Sequence, residues 1–143
     1  MYVPKHFEES QVAVLHALMQ QHPLGVLVAN TPNGLDANHI PFVVDATPAP
    51  WGTLRCHVAR ANPIWSALEK SKDVLVIFQG PESYVSPSVY EAKKTDGRVV
   101  PTWNYAAVHA YGTANVVHER EWLLDLLNAL TSAHETNRAE PWQ

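Results

Sequence analysis

The stretch HVARANPIW at residues 57–65 joins a predicted strand to a predicted helix and decides the fold around it. Its first half alternates in the manner of a half-buried strand. Asn62 is suited to cap a helix with its side-chain oxygen, and Pro63 fits the first helical position, where a backbone N–H is not needed. The chain is therefore predicted to turn from a strand into a helix at this point.

Arg60 lies in this turn, directly before the predicted helix start. Backbone N–H groups at a helix N-terminus and a guanidinium together form a common kind of phosphate site. The simpler alternative is that Asn62 only caps the helix and Arg60 only faces solvent, and caps far outnumber anion sites. The local pattern favours the simpler interpretation, so a phosphate site at Arg60 needs support from the rest of the chain.

The composition is typical of one globular domain: 143 residues, 46% of them hydrophobic and 17% charged. A net charge of −4 and no basic run longer than Lys93-Lys94 make direct nucleic-acid binding doubtful. The single cysteine, Cys56, excludes an internal disulfide and suits a reducing compartment. No stretch is long enough to span a membrane, and the start lacks the apolar core of a signal peptide. These features predict a cytoplasmic protein without a membrane partner.

The hydrophobic pattern predicts short antiparallel strands decorated by a few helices. Helices are predicted over 8–21, 63–70 and 119–135, and strands over 24–30, 35–44, 53–59, 74–78 and 108–116. The TPNG turn at 31–34 joins the first two strands as a hairpin. The apolar stretch 74–78 is predicted to be a central strand.

Residues 80–105 are predicted to be mostly loop, because Pro81, Pro87 and Pro101 interrupt any long regular element there. The last helix is predicted to bury an apolar stripe. Its members are Trp122, Leu123, Leu126, Leu127 and Leu130. The sequence thus predicts a single α+β domain over 1–143, built on a small antiparallel barrel with flanking helices.

Common catalytic and metal-binding motifs are absent from the sequence. The eight histidines form no closely spaced pair and there is no second cysteine, so no metal site is predicted. Cys56 alternates with Leu54 and Val58, which favours a small buried hydrophobic side chain over a nucleophile. Neither a nucleophile elbow nor a glycine-rich nucleotide loop is found, so the hydrolase, kinase and Rossmann classes are not supported.

Several polar and aromatic residues stand at unusual places in the predicted elements. Asn38 and His39 interrupt the second strand, His57 interrupts the third, and Trp103 precedes the long strand. Each has a plain structural explanation when it is taken alone. Together with Arg60 they could line a groove for a flat aromatic ligand that carries a phosphate, because such ligands need apolar walls, a few edge hydrogen bonds and one anion clamp.

Several long motifs resemble those of the PaiB-type family, whose members are described as FMN-binding negative transcriptional regulators. They occur in order along the whole chain: MYVP (1–4), LDANHIP (35–41), HVARANPIW (57–65), FQGP (78–81), YVSPS (84–88), VPTWNY (100–105) and EPW (140–142). The resemblance implies an FMN-binding split barrel related to the pyridoxamine-phosphate oxidases. It also implies a homodimer with flavin sites at the subunit interface.

By position, the resemblance implies that Arg60 and Asn62 bind the flavin phosphate. His57 and Ala59 would then border the ribityl chain or the ring. The printed sequence ends at Gln143, before the further helix and the strand with which the family usually continues. An open barrel edge or an incomplete flavin site is therefore an expectation for this chain.

The same resemblance implies that Ala37, Asn38 and His39 run past the isoalloxazine ring, largely through their backbone. Thr102 and Trp103 would close the site from the same chain or from the partner chain. For the dimer, one face of the last strand is polar with a single aromatic, which is common at interfaces, although a solvated face is an equal alternative. That face comprises His109, Tyr111, Thr113 and Asn115.

The function implied is that of a cytoplasmic FMN-binding regulatory protein. One alternative is a flavin-dependent oxidoreductase that acts on a small substrate or on another flavin, where FMN supplies the chemistry. Another is a flavin-free domain that serves dimerisation. The sequence leaves these alternatives open, because it contains neither a helix-turn-helix nor an evident acid–base pair.

Overall fold

The chain forms six strands and four helices in a computed structural model, which describes residues 1–95 and 97–142. In chain order the elements are α1 (Val12–Gln21), β1 (Leu24–Thr31), β2 (Gly34–Pro41), β3 (Val43–Asp45), β4 (Thr53–Arg55), α2 (Ile64–Lys70), β5 (Asp73–Val85), α3 (Ala92–Thr95), β6 (Thr102–Thr113) and α4 (Arg120–Glu135). Short 3-10 turns occur at Lys5–Phe7 and Pro87–Val89.

The strands form two antiparallel sheets, one with the order β2-β1-β5-β6 and one that pairs β3 with β4. The hairpin between β1 and β2 is confirmed, and Gly34 at its turn has a φ of 101°, a conformation that favours glycine. The central position of the strand that contains 74–78 is also confirmed. The α+β prediction is therefore correct, whereas the pairing described runs only within each sheet, so closure into a barrel stays a prediction.

One face of the larger sheet packs against α1 and α2 to form the core. Phe78 is fully buried and Ile64, from α2, is 1% exposed. The rings of Phe42 and Phe78 meet edge to face at 5.5 Å between centroids. Gly25 lies beneath them, where a Cβ atom would come within 2.9 Å of both rings. Burial of each such side chain contributes about 1.5–3 kcal/mol of hydrophobic free energy, and α2 takes part in this core through Ile64 and Leu68.

The prediction of a loop over 80–105 is wrong at both of its ends. β5 continues to Val85 and β6 already begins at Thr102. The pairing of these strands shifts between Gln79 and Glu82, so Pro81 falls in a bulge, where its missing N–H removes no ladder hydrogen bond. The paired ends beyond this bulge, residues 82–85 and 102–105, are called the β5–β6 arm below.

Three predicted elements also differ from the structure in their bounds. The third strand ends at Arg55 rather than Ala59, the first helix begins at Val12 rather than residue 8, and the last strand runs over Thr102–Thr113 rather than 108–116. The third strand stops early because Arg55 pairs with Val43, the first residue of its partner strand β3. The predicted alternation is seen only over 56–59, where half-buried and exposed residues alternate, whereas 54–56 are all half-buried.

α4 confirms the predicted last helix but not the whole of its apolar stripe. Leu126 is fully buried and Leu130 is 9% exposed, whereas Leu123 and Leu127 are 39% and 37% exposed. The helix packs beside the small sheet, where Arg55 of β4 donates a hydrogen bond to Asp125 at 2.8 Å. A small sheet covers only a narrow face of a helix, which leaves part of the stripe uncovered.

None of the helices in the described ranges combines the length and the apolar character needed to cross a membrane.

Candidate functional site

The turn between β4 and α2 places Asn62 in two hydrogen bonds. Its Oδ1 accepts from the backbone N–H of Ile64 at 3.0 Å, which confirms the predicted helix cap. Its Nδ2 donates to Oδ1 of Asn38 at 2.7 Å. Pro63 has helical backbone angles, φ −73° and ψ −9°, directly before the first residue of α2. Asn62 therefore caps α2 and also connects the turn before α2 to β2 by a side-chain hydrogen bond.

A chain of polar side chains continues from this contact along β2. Nδ2 of Asn38 donates to Oδ2 of Asp36 at 3.2 Å, and Oδ1 of Asp36 accepts from the backbone N–H of Ala37 at 2.9 Å. Sequence reasoning missed Asp36. It could have been found, because Asp36 and Asn38 are two residues apart and therefore share a strand face.

Arg60 is exposed, and its guanidinium contacts two side chains, His118 and Trp65. Nη1 lies 3.0 Å from Nδ1 of His118, and Cζ lies 5.2 Å from the centroid of the Trp65 ring. The indole N–H of Trp65 donates to the carbonyl oxygen of Arg60 at 3.0 Å. The ion pairs found in 1–95 and 97–142 do not include Arg60. Its positive charge is therefore fixed in direction without a carboxylate to neutralise it.

His118 joins the same cluster from the segment between β6 and α4. Its Nε2 lies 3.2 Å from Oε1 of Glu69, which is carried by α2. Sequence reasoning missed both residues. His118 is 58 positions from Arg60, and no local pattern in the sequence connects them.

The helix start contributes less to the predicted phosphate site than the sequence suggested. α2 spans only Ile64–Lys70, and the side chain of Asn62 already accepts from its first N–H. The attraction for an anion in this turn therefore rests on the guanidinium of Arg60.

β2 is an edge strand of the larger sheet, so that among the described strands one row of its backbone groups has no neighbour. The N–H of Ala37 bonds to the Asp36 carboxylate, so Ala37 faces away from β1. Backbone groups alternate along an antiparallel strand, so those of His39 face the same open side. A groove of about 460 Å³ opens beside Asp36 and Pro63, between the β1–β2 hairpin and α2.

The remaining predicted residues lie further from Arg60. Ala59 is exposed in the turn itself, but His57 lines a separate groove of about 360 Å³ together with Leu130 and Trp142. The cluster at Arg60 therefore includes the backbone of 59–62 and not the imidazole of His57.

Thr102 and Trp103 lie on the β5–β6 arm, away from the other predicted residues. Trp103 pairs with Tyr84, and their ring centroids are 5.9 Å apart. Leu27 of β1 pairs with Asn38 on one side and with Val76 of β5 on the other, so Asn38 and Val76 lie at the same height in the sheet. Tyr84 is eight residues further along β5. At the rise of a strand, this separation is about 25 Å. Counted along the strands, Thr102 and Trp103 therefore lie well separated from Asn38 within one chain.

Burial shifts the pKa values of two titratable side chains outside the cluster. Burial raises the pKa of Cys56 to about 11, which supports its interpretation as a packed thiol rather than a nucleophile. Burial, aided by the charge of the N-terminus, lowers the pKa of His109. In 1–95 and 97–142, no three His, Cys, Asp or Glu side chains come together as a metal site would need.

The residues around Arg60 fit the requirements of FMN. An arginine without a carboxylate partner in the described part of the chain suits the dianionic phosphate, and the open edge of β2 offers backbone donors and acceptors to a planar ring. The fit rests on donor chemistry and an accessible edge.

Comparisons with known proteins point to the same cofactor. The family model described as "Putative FMN-binding domain" matches residues 1–143. An uncharacterised protein of Saccharomyces cerevisiae is 35% identical over 98% of this chain and 94% of its own length. An uncharacterised protein of Emericella nidulans is 34% identical over 100% of this chain and 71% of its own.

A named bacterial relative is the protease synthase and sporulation protein PAI 2 of Bacillus subtilis. It is 33% identical over 99% of this chain, which spans 65% of that relative's length. The family predicted from the motifs and its cofactor, FMN, are thereby confirmed. The chain belongs to the PaiB-type family of FMN-binding domains.

Proposed function

We propose that this chain is an FMN-binding regulatory protein in which Arg60 binds the flavin phosphate. The observation that carries the proposal is the state of the Arg60 guanidinium, which is fixed by His118 and Trp65 and has no carboxylate partner in the described ranges. A charge-assisted, forked contact between arginine and phosphate is the strongest single interaction that this turn can offer to FMN.

The ring of the flavin is assigned to the open edge of β2. The carbonyl of Ala37 and the backbone groups of His39 face that side, since the N–H of Ala37 is bonded to Asp36, and they suit the donors and acceptors of the isoalloxazine edge. The Asn38 side chain is bonded to Asn62 and so holds the edge and the phosphate turn at a constant separation. The segment 57–59, in which His57 and Ala59 are exposed, leads to Arg60 and is assigned to the ribityl chain.

Thr102 and Trp103 are assigned to the site of a second copy, in a homodimer. The β5–β6 arm exposes its aromatic side chains: Tyr84 is 54%, Trp103 56% and Tyr105 60% exposed. Aromatic residues are enriched in the cores of protein interfaces, and a partner would remove this apolar surface from water. The same partner would bring these residues to the flavin of the other chain.

A regulatory role is favoured over an enzymatic one. The name of PAI 2 associates that relative with sporulation, and the described cluster around Arg60 contains one imidazole bonded on both nitrogens rather than a free general acid or base. When bound, FMN supplies hydride and electron transfer, which a sensor of redox state also needs. The net charge of −4 favours regulation through a metabolite or a protein partner over direct DNA contact, in a cytoplasmic setting.

Reconstitution of the purified protein tests the proposal. We expect saturable quenching of FMN fluorescence, with one flavin per chain, and no steady consumption of NADH or NADPH by the loaded protein. Rapid multiple turnover would favour the oxidoreductase alternative. No saturable flavin binding would favour the flavin-free dimerisation domain and would contradict the proposal.

A further inference from the structure

Three side chains form a directed series, Glu69 to His118 to Arg60. The guanidinium of arginine can only donate hydrogen bonds, so Nδ1 of His118, 3.0 Å from Nη1 of Arg60, must be the acceptor. The imidazole is then neutral, with its proton on Nε2. This proton faces Oε1 of Glu69 at 3.2 Å. The two contacts together specify one tautomer of His118.

Trp65 completes the frame around the guanidinium. Its ring lies beneath Arg60, and it meets the His118 ring edge to face, with centroids 5.5 Å apart and planes at 90°. Trp65 and Glu69 are four residues apart on α2, so they share a helix face. One rigid helix therefore supplies both the surface under Arg60 and the acceptor for His118.

We propose that His118, in its neutral Nε2–H form, is a positioning residue that aims Arg60 at the flavin phosphate. The inference rests on the proposed function of Arg60. An exposed arginine otherwise samples many rotamers, and the freedom that it loses on binding opposes phosphate capture. His118 removes part of that freedom beforehand and leaves the remaining guanidinium N–H groups for the ligand, which is how preorganisation raises affinity.

Two substitutions separate the roles of the two ring nitrogens. Asn in His118→Asn carries an amide oxygen near the place of Nδ1 and can still accept from Arg60. Gln in His118→Gln places its amide near Nε2 and can reach Glu69, but it leaves Arg60 without its acceptor. A merely structural role for His118 would not make the first variant behave like the native protein and the second behave differently.

Fluorescence titrations with FMN and riboflavin measure the effect. We expect His118→Gln to lower the ratio of FMN to riboflavin affinity about three- to tenfold, as the loss of one hydrogen bond does, and His118→Asn to keep it within about twofold. Arg138→Ala removes an exposed arginine paired with Glu135 and serves as the matched control. Equal ratios for the native protein and His118→Gln, or equal losses in both His118 variants, would overturn the inference.

A second measurement needs no flavin and no variant that could misfold. Long-range 15N–1H spectra of the histidine rings in the flavin-free protein report which nitrogen carries the proton. At a pH where His118 is neutral we expect protonation of Nε2, and protonation of Nδ1 would overturn the inference. Arg60→Ala separates the two claims: if it leaves the FMN preference intact, the proposed function fails. If only the His118 predictions fail, the positioning role alone fails.

Discussion

Asn62 donates a hydrogen bond to Asn38 at 2.7 Å, and this contact joins the turn before α2 to the edge strand β2. The same side chain caps α2 through its other polar atom. One residue therefore sets the distance between the proposed phosphate residue, Arg60, and the backbone proposed to face the flavin ring. Asn62 acts on the geometry of the site even if it never touches the ligand.

Replacement of Asn62 tests this double role. Asn62→Ala removes both hydrogen bonds, and we expect the free energy of unfolding to fall by about 1–2 kcal/mol, the usual cost of a lost helix cap. Asn62→Ser restores a capping oxygen but not the bond to Asn38, so it should recover most of the stability and not the flavin affinity. Urea unfolding and FMN titration of the same variants separate the two effects. Equal flavin affinity in Asn62→Ser and the native protein would argue against a role for the Asn38 contact.

The exposed aromatic side chains of the β5–β6 arm predict a homodimer. We expect a dimer mass for the native protein at micromolar concentration and a shift towards the monomer mass for Trp103→Asp, because a charge replaces an apolar contact. The FMN affinity should fall with the dimer, since Thr102 and Trp103 are assigned to the partner's site.

Light scattering after size exclusion measures this, and Trp51→Asp is the matched control. Trp51 is a 70% exposed tryptophan in the loop before β4, away from the β5–β6 arm. A native protein that is monomeric under these conditions would contradict both the dimer and the two-chain site.

Cys56 is predicted to react slowly with alkylating agents. Burial raises its pKa from 9.0 to about 11, so at pH 8 the thiolate fraction is roughly 100-fold smaller than that of an unperturbed cysteine. Because the pKa of Cys56 is higher in the folded chain than in the unfolded chain, folding favours the protonated thiol. This contribution to the free energy of unfolding is fully present below pH 9 and is lost as the pH rises through 11. Labelling with iodoacetamide, followed by mass spectrometry, gives the rate. Labelling as fast as in the urea-unfolded chain at pH 8 would contradict a packed thiol.

Direct binding of duplex DNA is predicted to be absent at low micromolar concentration. The chain contains ten Lys and Arg residues and fourteen Asp and Glu residues. Non-specific affinity for DNA comes mainly from clustered cations that neutralise phosphates, so this composition disfavours it. Fluorescence anisotropy at two salt concentrations tests this, with and without FMN. Saturable binding that weakens steeply with added salt would restore direct repression as the mode of regulation.

The parts of the fold that depend on local chemistry could be predicted from the sequence. The turn at 31–34, the Asn62 cap and the bounds of α4 each follow from neighbouring residues. The continuation of β5 past Pro81 could not be predicted, because the bulge that accommodates this proline depends on the register against β6. Periodicity alone does not reveal that α4 rests on a two-stranded sheet too small to cover Leu123 and Leu127.

The candidate site also has a part that the sequence predicts and a part that depends on the folded chain. Arg60, Asn62 and Asn38 were identified from the sequence, and the structure brings Asn62 into contact with Asn38. The contact that orients the Arg60 guanidinium could not be identified from the sequence. It is made by His118, which follows 58 residues later and approaches Arg60 only in the folded chain. The distance between Asn38 and Trp103 also follows from strand register, which a single sequence does not specify.

The affinity of Arg60→Ala for FMN, compared with its affinity for riboflavin, tests the central claim most directly. The two ligands differ by the phosphate alone, so their affinity ratio isolates the contact assigned to Arg60. We predict that the substitution weakens FMN binding by about 1.5–3 kcal/mol, which corresponds to a charge-assisted hydrogen bond, and leaves riboflavin binding nearly unchanged. An FMN preference that is equal in the native protein and in Arg60→Ala would contradict the assignment of the phosphate to this residue.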